Sequence, residues 1–286
     1  MAVQRMTIRG VSICYDTARP DGPVCHRVFL LSAPGATISS WRLIVQELLR
    51  AGCLCVMADM PGFGQSAFSE DMPIEQSLRA RYMWGLLDEM DLQSEGQLQC
   101  WHLMGNGSAC GTIAEMAIQQ PDSASSLFMV SPILYSLLTP PVRALVSRRF
   151  FEGTIASWMR RHIAPEKAFA RLTERLYARP LPEERLKELR RPLLRLIGHE
   201  EIVRHMLLSG YKVDTGELSK LFMPAMIIWG GRDALLGGSI PHRLSERDFP
   251  SAEYHLLPTA GHYAMETNSR AVCDFLRGWI REMWSA

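Results

Sequence analysis

Apolar and polar residues alternate in two short runs near the start of the chain, Val3–Ile8 and Val11–Tyr15, on either side of Arg9-Gly10. Alternation with a period of two, broken by a glycine, predicts a β-hairpin. Further on, Val28–Leu31, Cys53–Ala58, Trp101–Met104 and Leu127–Val130 are apolar almost without interruption. Runs of that length, bounded by turn residues, predict strands covered on both faces. Between them the spacing changes. Trp41, Ile44, Val45 and Leu48 fall on one face of a helix over Trp41–Arg50, and Gly52 stops it where a helix favours a left-handed residue. Ile74–Met90 and Ser108–Gln119 read as further helices, the second halted before Pro121.

The strand rhythm then ceases. From Pro140 to Lys220 only helical spacing is found, punctuated by Pro165, Pro180, Pro182 and Pro192. It resumes at Ala225–Trp229 and Ala252–Leu257, and an amphipathic helix over about Ser269–Met283 closes the chain. Strands and helices in alternation predict an α/β fold: a mainly parallel eight-stranded sheet with helices on both faces and a helical lid insertion. The expected division is a core over 1–135 and 221–286 and a lid over 136–220.

Charge sharpens that division. The 286 residues have a formal net charge of +1, so no global field points to nucleic acid or an acidic membrane. Residues 141–220 nevertheless hold 17 Lys+Arg against 10 Asp+Glu, and the rest of the chain 14 against 20. A basic lid over an acidic core reads either as solvated helix faces or as an entrance that attracts an anion. No secretory or transit segment is read at the start, and no apolar run approaches the ~20 residues of a membrane span. The seven cysteines are odd in number and scattered through apolar surroundings, which suits reduced thiols and a cytoplasmic location. Cys53 and Cys55 read as core packing. His199 and His205 are six apart, not the four that a zinc-binding helix needs. No cofactor and no metal are expected.

Four loops that follow predicted strands carry the candidate chemistry: Asp59-Met60-Pro61-Gly62-Phe63-Gly64-Gln65-Ser66, Gly105-Asn106-Gly107-Ser108-Ala109, Trp229-Gly230-Gly231-Arg232-Asp233, and Ala260-Gly261-His262. In this order they resemble the α/β-hydrolase family, nearest in motif to its lidded C–C hydrolase and proline-iminopeptidase-like members. The resemblance covers nearly the whole chain outside the lid. It implies that the first loop is structural, that Asp233 orients His262, and that residue 107 is the tip of the nucleophile elbow. Gly105 and Ala109 supply the small residues that this turn needs. Centring on Ser108 instead would place Asn106 and Cys110 there. Glycine therefore stands at the nucleophile position. The family's His-Gly before the oxyanion hole is also missing: Leu31-Ser32-Ala33-Pro34-Gly35 stands in its place. One register puts the Ala33 N–H in the hole with the Ser108 N–H. A shift by one puts Pro34 there, with no N–H to donate.

Three readings follow. In the first, Gly107 replaces serine in an engineered, inactive hydrolase of a small, anionic carbonyl compound: an ester, a thioester or an activated C–C bond. In the second, Gly107 is native and Asp233–His262 is a non-covalent base for lyase, cyclase or isomerase chemistry. In the third, the pocket binds a ligand and is catalytically silent. Ser108 or Cys110 as surrogate nucleophile is a minor fourth. The partner expected is a small-molecule substrate, with neither nucleic acid nor membrane, and self-association into a homodimer is left open.

Overall fold

The computed structural model describes residues 3–91, 100–236 and 239–283. β1 (Gln4–Ile8) and β2 (Val11–Ala18) form the expected hairpin, with Ile8 opposite Val11. Arg9 and Gly10 both have positive φ (49° and 85°), as a two-residue turn matching the strand twist requires. β2 runs three residues past its expected end because Asp16, Thr17 and Ala18 pair with β4 (Cys53–Asp59). The other strands are β3 (His26–Ser32), β5 (Trp101–Asn106), β6 (Ala124–Val130), β7 (Ala225–Gly230) and β8 (Glu253–Leu257). They form one eight-stranded sheet in the order β1-β2-β4-β3-β5-β6-β7-β8, parallel from β4 to β8.

Burial follows position in the sheet. Every residue of β5 and β7 is buried, whereas the edge strands β1 and β8 are largely open. Four long helices flank the sheet: α1 (Arg42–Arg50), α2 (Gln76–Asp91), α3 (Ala109–Gln119) and, last in the chain, α12 (Ser269–Met283). The chain steps from β3 to β4 in one direction and from β5 to β6 in the other. Right-handed crossovers therefore place α1 and α3 on opposite faces. α12 packs against α1, and α2 against α3.

Between the neighbouring strands β6 and β7 lie only helices: α4 (Pro140–Val146), α5 (Phe151–His162), α6 (Glu166–Tyr177), α7 (Glu183–Leu194), α8 (Glu200–Ser209) and the single turn α9 (Thr215–Leu218). α6 ends on Ala178 in the left-handed conformation, two residues before Pro180. Two short helices fall outside the predicted pattern, α10 (Ser239–Arg243) and α11 (Ala264–Thr267). At four or five residues each they are too short to show helical periodicity.

Candidate active site

β5 ends in a tight bend. Gly107 has φ of +54°, and Ser108 caps the start of α3. The bend is pinned on both sides: the Gly107 N–H donates to the Val130 carbonyl (2.9 Å), and the Gly107 carbonyl accepts from Ile133 (2.9 Å) and Cys110 (3.2 Å). A Cβ on Gly105 would lie 3.1 Å from backbone atoms of Ala109 and Cys110, so a larger residue there would push strand and helix apart by a few tenths of an ångström. Gln76 braces the helix start, its amide donating to the carbonyls of Ser108 and Gly210 (both 2.9 Å).

Beyond β7, Asp233 is fixed by three donors. Its Oδ1 accepts the N–H groups of Leu235 (2.8 Å) and Leu236 (3.2 Å), and its Oδ2 lies 2.7 Å from Nδ1 of His262. Both side chains are almost fully buried, at 1% and 2% exposure. The two glycines before Asp233 let its loop close on the histidine loop: a Cβ on Gly230 would meet the Gly261 carbonyl at 2.2 Å, and one on Gly231 would meet Pro258 at 2.8 Å. With Nδ1 engaged by the carboxylate, Nε2 is the nitrogen left to exchange protons. It points at the bend. A Cβ built on Gly107 would stand 2.8 Å from Nε2 and 3.5 Å from the Ala33 Cβ. The three residues singled out in sequence, Gly107, Asp233 and His262, thus meet at one point. The first contact is closer than Cβ atoms come to their neighbours, so a side chain at position 107 would require the tip of the imidazole to shift.

The loop after β3 lies alongside. Ala33, rather than Pro34, is the residue beside the bend, and its N–H donates to Oδ1 of Asn106 (3.3 Å). That donor is engaged by the protein itself. Asn106 Nδ2 and Ser131 Oγ, at the ends of adjacent strands, are buried without hydrogen-bond partners, and Ser131 holds a strained φ of +46°. The Pro34 carbonyl accepts the Tyr263 hydroxyl and the Gly35 carbonyl the Tyr177 hydroxyl, both at 2.8 Å. A Cβ on Gly35 would come within 2.1 Å of the Tyr263 oxygen. Asp59 closes its own loop by accepting from Ile38 (2.9 Å) and Gln65 (2.8 Å), and burial pushes its carboxyl up to about 7.

The helices between β6 and β7 reach the histidine directly. The His262 N–H donates to the Leu176 carbonyl in the last turn of α6 (2.8 Å), and Tyr177 stacks on Tyr263 with ring centres 4.4 Å apart. One turn into α7, Arg185 clasps the core. It forks onto both oxygens of Glu266 (2.8 Å each), and also donates to Glu188 (2.6 Å), Thr37, Ser39 and Ser40. Sequence reasoning passed over Arg185, because nothing local separates it from the other arginines of its segment. It also assigned no role to Asn106 or Tyr177, whose contacts are all long-range. His199 and His205 contact Glu70 and Arg204 respectively. Among the described residues no group of three or more His, Cys, Asp or Glu is placed to hold a metal ion, and no helix is long and apolar enough to cross a membrane.

The model of the alpha/beta hydrolase fold matches residues 27–269, so the chain belongs to that family, within a superfamily of enzymes. It is 25% identical over 277 residues (92% of this chain, 89% of the relative) to a 2-hydroxy-6-oxononadienedioate/2-hydroxy-6-oxononatrienedioate hydrolase of Cupriavidus pinatubonensis. It is 24% identical to an uncharacterized hydrolase of Bacillus subtilis, with 98% of both chains covered. Among solved structures, a meta-cleavage product hydrolase from Pseudomonas fluorescens superposes with a TM-score of 0.75 at 15% identity, covering 98% of this chain and 97% of the other, which shows a shared fold.

Proposed function

We propose that this chain acts on a small, anionic carbonyl compound through His262 as a general base, with Asp233 as its orienting carboxylate and no covalent intermediate. One observation carries this reading: His262 Nε2 lies 2.8 Å from where a Cβ on Gly107 would be. With glycine at 107 no side chain stands between the bend and Nε2, so the base faces substrate or water directly. Nε2 takes a proton from water or from a carbon next to the carbonyl, and Asp233 stabilises the imidazolium that forms. The engaged Ala33 N–H supports the same reading, because an oxyanion formed by serine attack needs two free donors. Residues 136–220 serve as the lid, and their excess of arginine suits an anion such as the dioate named for the Cupriavidus relative.

A second reading, a serine hydrolase changed at position 107, is favoured by the bend itself. The φ of +54° and the close approach at Gly105 are what an exposed nucleophile would require. Turnover of 2-hydroxy-6-oxononadienedioate and of p-nitrophenyl esters, together with fluorophosphonate labelling, separates the two. Conversion by the present chain, lost in His262→Gln and without labelling, supports the general base. Conversion and labelling only in Gly107→Ser support the second reading. If neither form converts any carbonyl substrate, both fall and a silent binding pocket remains.

A further inference from the structure

An open groove of about 520 Å³ lies between α7 and the loop that follows β4. Arg5, Arg191 and Arg195 line it, and Gly107, Asp233 and His262 do not. Two of these guanidinium groups stand on three successive carbonyls: Arg195 donates to Gly64 (2.6 Å) and Ser66 (3.2 Å), and Arg5 donates to Gln65 between them (2.8 Å). Arg191 lies one helical turn before Arg195. Among the described residues none of the three arginines has a carboxylate within ion-pair distance.

The carboxylates on the groove wall are engaged elsewhere, Glu188 with Arg185 (2.6 Å) and Glu184 with Lys187 (3.3 Å). Arg195 Nε is buried without a partner. Burial, and then the like charges of Arg191 and Arg5, hold the Arg195 guanidinium below its usual range, with only Asp59 opposing. Three cations gathered with none of them in an ion pair leave the half-buried Arg195 guanidinium under-compensated, and an anion entering the groove would relieve it.

We propose that this groove binds a phosphate group, held by Arg5, Arg191 and Arg195. A phosphate dianion offers several oxygens to planar guanidinium forks and matches an excess of positive charge better than a single carboxylate does. The proposal is independent of the reaction at His262. Because Glu188 and Thr37 also line the groove and both bond to Arg185, an occupant would stiffen the junction between α7 and the core.

Calorimetric titration of the full chain in 150 mM NaCl, which screens diffuse attraction, tests the site with inorganic phosphate and with glycerol 3-phosphate. Sedimentation with phosphatidylcholine vesicles containing phosphatidic acid tests a lipid headgroup. Saturable one-to-one binding is expected, weakened about tenfold in Arg191→Gln and further in Arg5→Gln/Arg191→Gln. Binding of inorganic phosphate alone identifies the free ion, tighter binding of glycerol 3-phosphate a phosphomonoester, and co-sedimentation a headgroup. Absence of saturable binding by all three probes, or an unchanged affinity in the variants, overturns the proposal. Arg191 is exposed on α7, so the single variant carries the test if the double one folds poorly.

Discussion

The sheet and the helices inserted between β6 and β7 are built on different principles. In β5 and β7 every residue is buried, and the loops after β7 and β8 meet through glycines whose Cβ positions fall on neighbouring backbone. The inserted helices bury little. α5 contributes only Ile155 and Met159 and α7 only Leu189 and Pro192, while Trp158 and Phe150 are 48% and 70% exposed. Steric closure positions Gly107, Asp233 and His262. The insertion reaches the histidine and its surroundings through the backbone bond at Leu176, Tyr177 and the Arg185 clasp, and the loop after β4 through Arg195. On the function proposed above, the chemistry belongs to the core and the insertion sets access to it by charge and a few polar bonds. Changes in the two regions should therefore have separable effects.

The sharpest separation is expected at His262. His262→Gln removes the proposed base but leaves the Asp233 carboxylate its two backbone donors. Turnover should fall about 10³-fold, within the usual range for a lost general base, while the urea midpoint moves little. A proportionate loss of stability and activity would mean that the Asp–His pair holds the fold rather than the chemistry.

The converse change is Arg185→Met. The Arg185 and Glu266 side chains are 10% and 13% exposed, and the variant leaves Glu266 and Glu188 without their cation. Breaking a buried pair from one side costs about 3–5 kcal/mol, read in denaturant melts. Adding Glu266→Gln should recover part of that loss, because it removes the stranded charge. A cost under ~1 kcal/mol, the range of exposed pairs, would show that the clasp does not join insertion and core.

Gly261→Ala should have a smaller effect, confined to the seam. The added Cβ would stand 2.4 Å from the Leu176 carbonyl and under 3 Å from the Tyr177 and Ala178 backbone. Backbone yields less readily than side chain, so a cost of about 1–3 kcal/mol is expected, with α6 pushed away from His262. A raised KM at unchanged kcat would show that α6 governs access. An equal fall in kcat would show that it also positions the imidazole.

The same division explains what could be read without coordinates. The central strands were legible because their burial is continuous, and Asp233 and His262 because the loops that carry them resemble those of the α/β-hydrolase family in the same order. Helix starts were misplaced by only a residue or two, at Gln76 and Ala109. Arg185 was not legible: one arginine among many becomes a clasp only because Glu266 and the hydroxyls of Thr37, Ser39 and Ser40 come from elsewhere in the chain. Nor could sequence choose between Ala33 and Pro34 beside the bend, since the choice depends on Tyr263 and Tyr177 fixing the next two carbonyls. Patterns report what a residue's neighbours in the chain require. They do not report which distant polar groups will meet.

The last effects come from protons, and these have opposite signs. His102, deep in β5 and bonded to Ser126 (2.7 Å), is pushed from 6.5 down to about 3 by burial and then by His26. Between those values the unfolded chain binds a proton that the folded chain lacks, so this contribution to stability is lost as pH falls from 6.5 toward 3. Asp59 is raised from 3.8 to about 7 by burial, with Glu188 adding to the rise and Arg185 opposing it. There the folded chain holds the extra proton, so stability falls as pH rises from 4 toward 7. Over the shared range the two slopes oppose each other, and each emerges only against its own variant. The stability of the wild type relative to His102→Gln should decline with acid, and relative to Asp59→Asn with base. Because Arg185 acts on Asp59 across the seam, Arg185→Met should extend the Asp59 limb to higher pH and leave the His102 limb in place. If both limbs shift together in that background, the insertion and the core are one electrostatic unit, and the division between them fails at its weakest point.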